Sequence, residues 1–229
     1  SLIDALNKKY EAMHEYQMPI NVFIVRSIEI NNYVLNGDTL LAMEILTDLN
    51  NEIMPPYNRI VDFGYLRIYS YLRDTLGLRK TIPLAEEAIQ LLNMDVFRPI
   101  VLRAQGIMAE MQGDYEKALG LYKEALQLNR LRESAYLDVA RCYRLLGDYK
   151  SAIETIEEIY QRAPADPNRN YELGVTYLEY GKEERASEYF EKALEMLKNS
   201  NPEYMLYKDL MKEMHKMNGV IETVSHLDK

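Results

Sequence analysis

Residues 111–130 read MQGDYEKALGLYKEALQLNR: a glycine, an acid and an aromatic, then alanines seven positions apart at Ala118 and Ala125. The same shape returns as LGDYKSAIETIEEIYQRAP from Leu146 and as YGKEERASEYFEKALEML from Tyr180. A stretch written three times in one register asks for a repeated structural unit, and the surrounding sequence says which.

Gly37, Gly77, Gly113, Gly147, Gly181 and Gly219 form a ladder with steps of 40, 36, 34, 34 and 38 residues. Periods of this size point to stacked supersecondary units. Between the rungs the apolar residues recur with helical spacing. Most prolines (Pro19, Pro55, Pro56, Pro99, Pro164, Pro167 and Pro202) fall at the other boundary, where helices end or begin. Pro83 stands apart and is predicted to open a helix over 83–94. Each period therefore holds two helices with the glycine at the turn, where a left-handed conformation needs no Cβ. Asp38, Asp114 and Asp148 follow directly as N-caps of the second helix. Small residues at Gly106, Ala140 and Gly174, and again at Ala118, Ala152 and Ala186, allow close helix crossings. Tyr122, Ile156 and Phe190 fill the space beside them. Helices are predicted over about 98–112, 114–129, 132–146, 148–162, 167–180 and 182–198.

These residues resemble the tetratricopeptide repeat. Its pattern of about 34 residues runs from a large aromatic through Leu-Gly, Tyr, Ala and Phe/Tyr to Pro. Residues 133–166 match it with Tyr136, Val139, Ala140, Tyr143, Gly147, Ala152, Ile156 and Pro164. Residues 167–200 match with Leu173, Gly174, Tyr177, Gly181, Ala186, Phe190 and Ala193; residues 99–132 match with Gly106, Gly113, Ala118, Tyr122 and Ala125. Outside 99–200 the pattern is degenerate. The resemblance implies an all-α fold, a right-handed α-solenoid of antiparallel helix pairs forming a TPR-like superhelix. The expected organisation is a single domain over 1–229. It has an N-terminal capping helix in 1–18, repeats at 19–54, 55–98, 99–132, 133–166 and 167–201, and a terminal partial repeat at 202–229. Residues 203–217 are apolar over a broad arc, a face that a second copy, a partner or further chain is expected to cover.

Composition excludes several functions. The net charge is −9, against the basic surface that a nucleic-acid binder needs. No run of 18 apolar residues exists to span a membrane. The lone Cys142 rules out an internal disulfide and has no neighbouring base to activate it; a buried structural role is expected. A reducing, cytoplasmic setting is the default expectation, although a chain that starts at Ser1 could equally be a piece of an exported protein. His14, His215 and His226 have no helical partners at metal-ligand spacing, and GDYEKALG lacks the GKS/T ending of a phosphate loop. Adjacent glutamates such as 157–158 do not share a helix face. No catalytic residue, cofactor or metal is expected, and the chain is read as not an enzyme.

The resemblance implies where a ligand sits. In the family, four positions of each first helix line a concave face. Carried over, these include Arg67, Tyr71 and Asp74, then Arg103 and Glu110, then Arg141 and Arg144, then Asn168 and Tyr171. A basic and aromatic groove inside an acidic exterior suits a protein or peptide partner with an acidic segment, since Arg and Tyr dominate binding hot spots. The other reading is that these arginines only pair with neighbouring acids such as Glu110 or Asp138. The Lys/Asn clamp by which some family members hold heat-shock chaperone tails is absent: the matching positions are Arg103, Ile107, Asp138, Asn168 and Glu172. The expected function is a non-catalytic interaction scaffold. Two further expectations are a homo-oligomer through the C-terminal apolar helix and, as an alternative function, a recruitment or dimerisation module appended to an enzyme encoded upstream.

Overall fold

The computed structural model of the protein describes residues 8, 19–129, 133–160, 166–201 and 203–227. The capping helix expected in 1–18 lies outside the described residues apart from residue 8. The chain falls into two compact units, 1–129 and 130–229, taken in turn.

The first unit holds three antiparallel pairs. They are α1 (Pro19–Leu35) with α2 (Thr39–Glu52), α3 (Val61–Leu72) with α4 (Thr75–Leu92), and α5 (Arg98–Met111) with α6 (Tyr115–Leu128). The first helices are neighbours: α1 touches α3, and α3 touches α5. The second unit holds α7 (Glu133–Leu145) with α8 (Tyr149–Tyr160), α9 (Pro167–Glu179) with α10 (Glu183–Leu197), and a last helix α11 (Met205–Leu227). All six helices predicted over 98–198 are present to within a few residues, and the described residues contain no strand. The fold is an all-α solenoid of helix pairs. No helix among the described residues is long and apolar enough to cross a membrane.

The turns show why the glycines recur. Gly37, Gly113, Gly147 and Gly181 all have positive φ, between 74° and 88°. At Gly113 the chain closes α5 with two bonds, Gly113 N–H to the Glu110 carbonyl (3.0 Å) and Asp114 N–H to the Ala109 carbonyl (3.0 Å). This is the left-handed cap that leaves no carbonyl of the last turn stranded. The caps that follow differ: Asp114 accepts from Lys117 N–H and Asp148 from Ser151 N–H, whereas Asp38 makes no side-chain cap bond.

Two rungs of the ladder are not turns. Gly77 lies inside α4, and the α3–α4 turn falls earlier, with Arg73 at φ 52° in the left-handed position. Asp74 N–H closes that turn on the Tyr69 carbonyl (2.9 Å), the bond Asp114 makes at the Gly113 turn. Gly77 is glycine for space: a Cβ there would sit 2.4 Å from the Tyr69 ring. Gly219 lies within α11. Pro83 does not open a helix either, because α4 runs through it from Thr75 to Leu92.

The small residues meet their large partners sixteen positions on. A Cβ at Gly106 would lie 2.5 Å from the Tyr122 ring, and one at Gly174 2.4 Å from the Phe190 ring. Ala140 and Ile156, fully buried, share a cluster with Leu173. In the first unit Leu46, Leu49, Phe63, Leu66 and Leu78 are fully buried, and Phe63 stacks on Phe97 at 4.4 Å. Each such side chain contributes about 1.5–3 kcal/mol when removed from water. Cys142 is buried, as its position predicts.

The broad apolar arc of 203–217 finds its cover inside its own unit. Leu206, Leu210 and Met217 are buried in a cluster with Phe190, Ala193 and Leu197, and Tyr204, Tyr207 and Met214 pack against it. The sequence pattern overstated the exposed face because α11 meets both α9 and α10, and two contact directions need a wider stripe than one.

Candidate peptide-binding faces

In the first unit, α1, α3 and α5 present the positions where the resemblance places a ligand. Arg67 on α3 donates to Asn31 Oδ1 on α1 at 2.9 Å, an exposed bond between residues 36 positions apart. Tyr71 is half-buried one turn on, and Arg103 is half-buried on α5. Asn31 was not anticipated, because repeat 19–54 is too degenerate to fix its register.

Two residues expected on this face have other work. Asp74 caps α4, its carboxylate accepting from Leu76 N–H (3.0 Å) and Gly77 N–H (3.1 Å). Glu110 is buried and accepts from Arg73 (2.6 Å) and from the Tyr122 hydroxyl (3.0 Å). The Tyr122 ring that fills the notch at Gly106 is thereby tied to a cation on the α3–α4 turn.

The second unit brings Arg141, Arg144 and Tyr171 onto α7 and α9. Arg141 donates to buried Asp138 at 2.8 Å. Arg144 reaches across to α9, to buried Glu172 at 2.9 Å and to Glu179 at 2.5 Å. Burial works against the Arg144 charge, but Glu172 and Glu179 outweigh it and hold the guanidinium more firmly protonated than usual. Tyr171 is half-buried beside Phe190, with ring centres 6.4 Å apart. Burial pushes its hydroxyl well above the ordinary tyrosine range, and Asp209, Glu172 and Glu213 push the same way against Arg144. Burial likewise raises Asp209 on α11. Asn168, at the start of α9, is tied to the cap residue Asp166, its side chain donating at 3.0 Å.

The second-unit pair is matched to acids on its own helices, as the pairing alternative foresaw with Asp138. Glu110, the other acid named there, is held by Arg73. Among the described residues no group of three His, Cys, Asp or Glu side chains could hold a metal ion. Exposed His215 has its Nδ1 2.6 Å from the Met211 carbonyl of its own helix.

Known proteins fit this picture. The tetratricopeptide repeat family matches residues 109–159 and 144–210. A relative from Prochlorococcus marinus, the photosystem I assembly protein Ycf3, is 25% identical over 130 residues. That match covers 52% of this chain and 70% of the relative. Among crystal structures, PilW, a widely conserved type IV pilus biogenesis factor, has a TM-score of 0.57 at 16% identity, covering 90% of this chain and 92% of its own. TPR-like repeats of a putative kinesin light chain from Podosopora anserina reach a TM-score of 0.50 at 15% identity, covering 76% and 94%. These likenesses to solved structures bear on the fold alone. Over residues 109–210 the chain belongs to the tetratricopeptide repeat family.

Proposed function

We propose that the protein is a non-catalytic scaffold that holds a peptide or an extended segment of a partner protein against its first helices. Tetratricopeptide repeat proteins generally mediate protein–protein interaction, and the relative named for photosystem I assembly supports a role in bringing other proteins together. The observation that carries the reading is the Arg67–Asn31 bond. It joins exposed side chains of two first helices, so α1 and α3 stand side by side and offer one polar face. Such a face, with Tyr71 and Arg103 along it, can satisfy the backbone and side chains of an extended ligand.

Arg141 and Arg144 already face buried carboxylates, which weakens their claim on an acidic segment. Self-association through 203–217 has only exposed Met205 and half-buried side chains such as Tyr207 and Met211 to use, since Leu206, Leu210 and Met217 are already buried within the unit.

Affinity capture from the native cell, followed by mass spectrometry, tests the reading when wild type and Arg67→Ala/Asn31→Ala are compared. A partner retained by wild type and depleted by the variant supports it. A partner captured equally by both would overturn it.

A further inference from the structure

The ligand face just described leaves unused a cleft on the other side of α5. It is bounded by α4, α5 and α6, all within the first unit, and is open to solvent, with a volume of about 330 Å³, at the lower end of the range that ligand sites occupy. At about 100° per residue along a helix, Gln105, Met108 and Gln112 lie roughly opposite Arg103, Ile107 and Glu110.

Three features of the cleft point to a ligand. The first is charge. Arg79 and Lys117 line it from α4 and α6, and neither makes an ion pair or a side-chain hydrogen bond among the described residues. Both are exposed, so their charges are open to a ligand, whereas Arg59, Arg73, Arg98, Arg141 and Arg144 are ion-paired.

The second feature is an apolar floor, built from Ile82, Met108 and Leu121. The third is a pair of amides. Gln105 and Gln112 are seven positions apart on one side of α5, a separation of about 10 Å along the axis. That matches about three residues of extended chain, and a side-chain amide carries the donor and acceptor that a peptide unit needs. Gln105 is already oriented by donating to Glu86 Oε1 at 2.7 Å.

We infer that this cleft is a second docking site, taking an extended partner segment in which an apolar side chain is flanked by two carboxylates. The apolar side chain meets the floor, the carboxylates meet Arg79 and Lys117, and the backbone runs along Gln105 and Gln112. Charge-assisted bonds to two cations favour carboxylates, and the acidic remainder of the surface disfavours the same segment elsewhere.

The test uses the full chain and a fluorescein-labelled peptide, Gly-Asp-Ser-Leu-Ser-Asp-Gly, whose Asp and Leu side chains share one face when extended, with the analogue carrying Lys for each Asp as control. Anisotropy should show saturable binding of the acidic peptide alone, weakening as salt rises. In a proton–nitrogen correlation spectrum the side-chain amides of Gln105 and Gln112 should shift on titration. Arg79→Glu/Lys117→Glu changes only exposed side chains and should weaken binding by roughly tenfold or more, with the melting temperature unchanged. Arg67→Ala, on the other face of the unit, should bind as wild type does. Absence of saturable binding, equal binding of the lysine analogue, or binding indifferent to the double charge reversal would each overturn the proposal. Gln105→Ala gives a second readout that leaves every charge in place, and it too should weaken binding.

Discussion

The Cα of Gly106 faces the ring of Tyr122 so closely that a methyl group there would lie 2.5 Å from one ring carbon and 2.8 Å from the next. The ring cannot swing aside, because Tyr122 is fully buried and its hydroxyl is held by Glu110. Gly106→Ala should therefore destabilise the protein despite the gain in helix propensity of about 1 kcal/mol. Overpacking of this kind costs about 1–3 kcal/mol, so a lower melting temperature is expected. Gly120 is the control: it is also helical, but a Cβ there would meet nothing within 4 Å. Gly120→Ala should stabilise by about 0.5–1 kcal/mol. If both substitutions moved the melt the same way, the notch at Gly106 would not be the cause.

A second prediction concerns Arg73, which occupies the left-handed turn position that other repeats give to glycine. Its ion pair with buried Glu110 offsets a conformational cost of about 1–2 kcal/mol. Arg73→Met should be destabilising, by less than the ~3–5 kcal/mol of a fully buried pair, because Glu110 loses this cation but keeps the Tyr122 hydroxyl. Arg73→Met/Glu110→Leu removes both charges and should recover part of that loss. Denaturant unfolding of the four combinations decides it, and additive effects would show that the pair is not coupled.

How far the sequence could be read depends on where local chemistry and packing agree. From 98 to 198 they do: glycine, aspartate and the small residues each have one local use, and all helices there were legible. At Gly77 they part. Glycine serves both a turn and a close approach, and only the Tyr69 ring in place distinguishes the two uses. Arg73 was illegible as a turn residue because a long-range partner, Glu110, holds it there. The candidate face was readable only as a set of helix positions, with Arg67 on α3, Arg103 on α5 and Arg141 on α7 following from the register. What each arginine touches was not, because Glu172 and Glu179 lie 28 and 35 positions from Arg144. Arg79 and Lys117 gave no signal, as a surface cation and a cleft cation look alike in sequence.

Asp62 makes a prediction about pH. Burial raises its carboxyl above the ordinary 3.8, with Glu87 adding to the shift and Arg59 opposing it. The folded state therefore binds this proton more tightly than the unfolded chain. The resulting stabilisation is fully present below 3.8 and is lost as pH rises through the higher folded value. Asp62→Asn imitates the protonated group and can still accept from Arg59. Its stability relative to wild type should increase from about pH 3 to about pH 7, measured by denaturant midpoints at each pH. A gap that shrinks with rising pH would mean that Arg59 dominates over burial.

The last prediction separates arginines that hold the fold from those that face a ligand. Arg144 has a side chain only 10% exposed, and its partner Glu172 has one 8% exposed. Arg144→Ala would leave that carboxylate buried without its cation, which is strongly destabilising in general. Arg141→Ala removes one cation from Asp138, whose side chain is 3% exposed. Both variants should lower the melting temperature by several degrees, and any loss of partner binding should follow from the lost fold. Arg67 makes an exposed bond to Asn31, whose acceptor is neutral. Loss of that one bond should cost no more than about 1.5 kcal/mol. If the first-helix face of the first unit binds the partner, Arg67→Ala should leave the melt within a few degrees. It should also weaken binding and flatten its salt dependence, because one charged contact has gone. Thermal melts and partner titrations on the three variants, run side by side, give the answer. Stable Arg144→Ala with lost binding would transfer the ligand face to the second unit, and unstable Arg67→Ala with full binding would remove Arg67 from it.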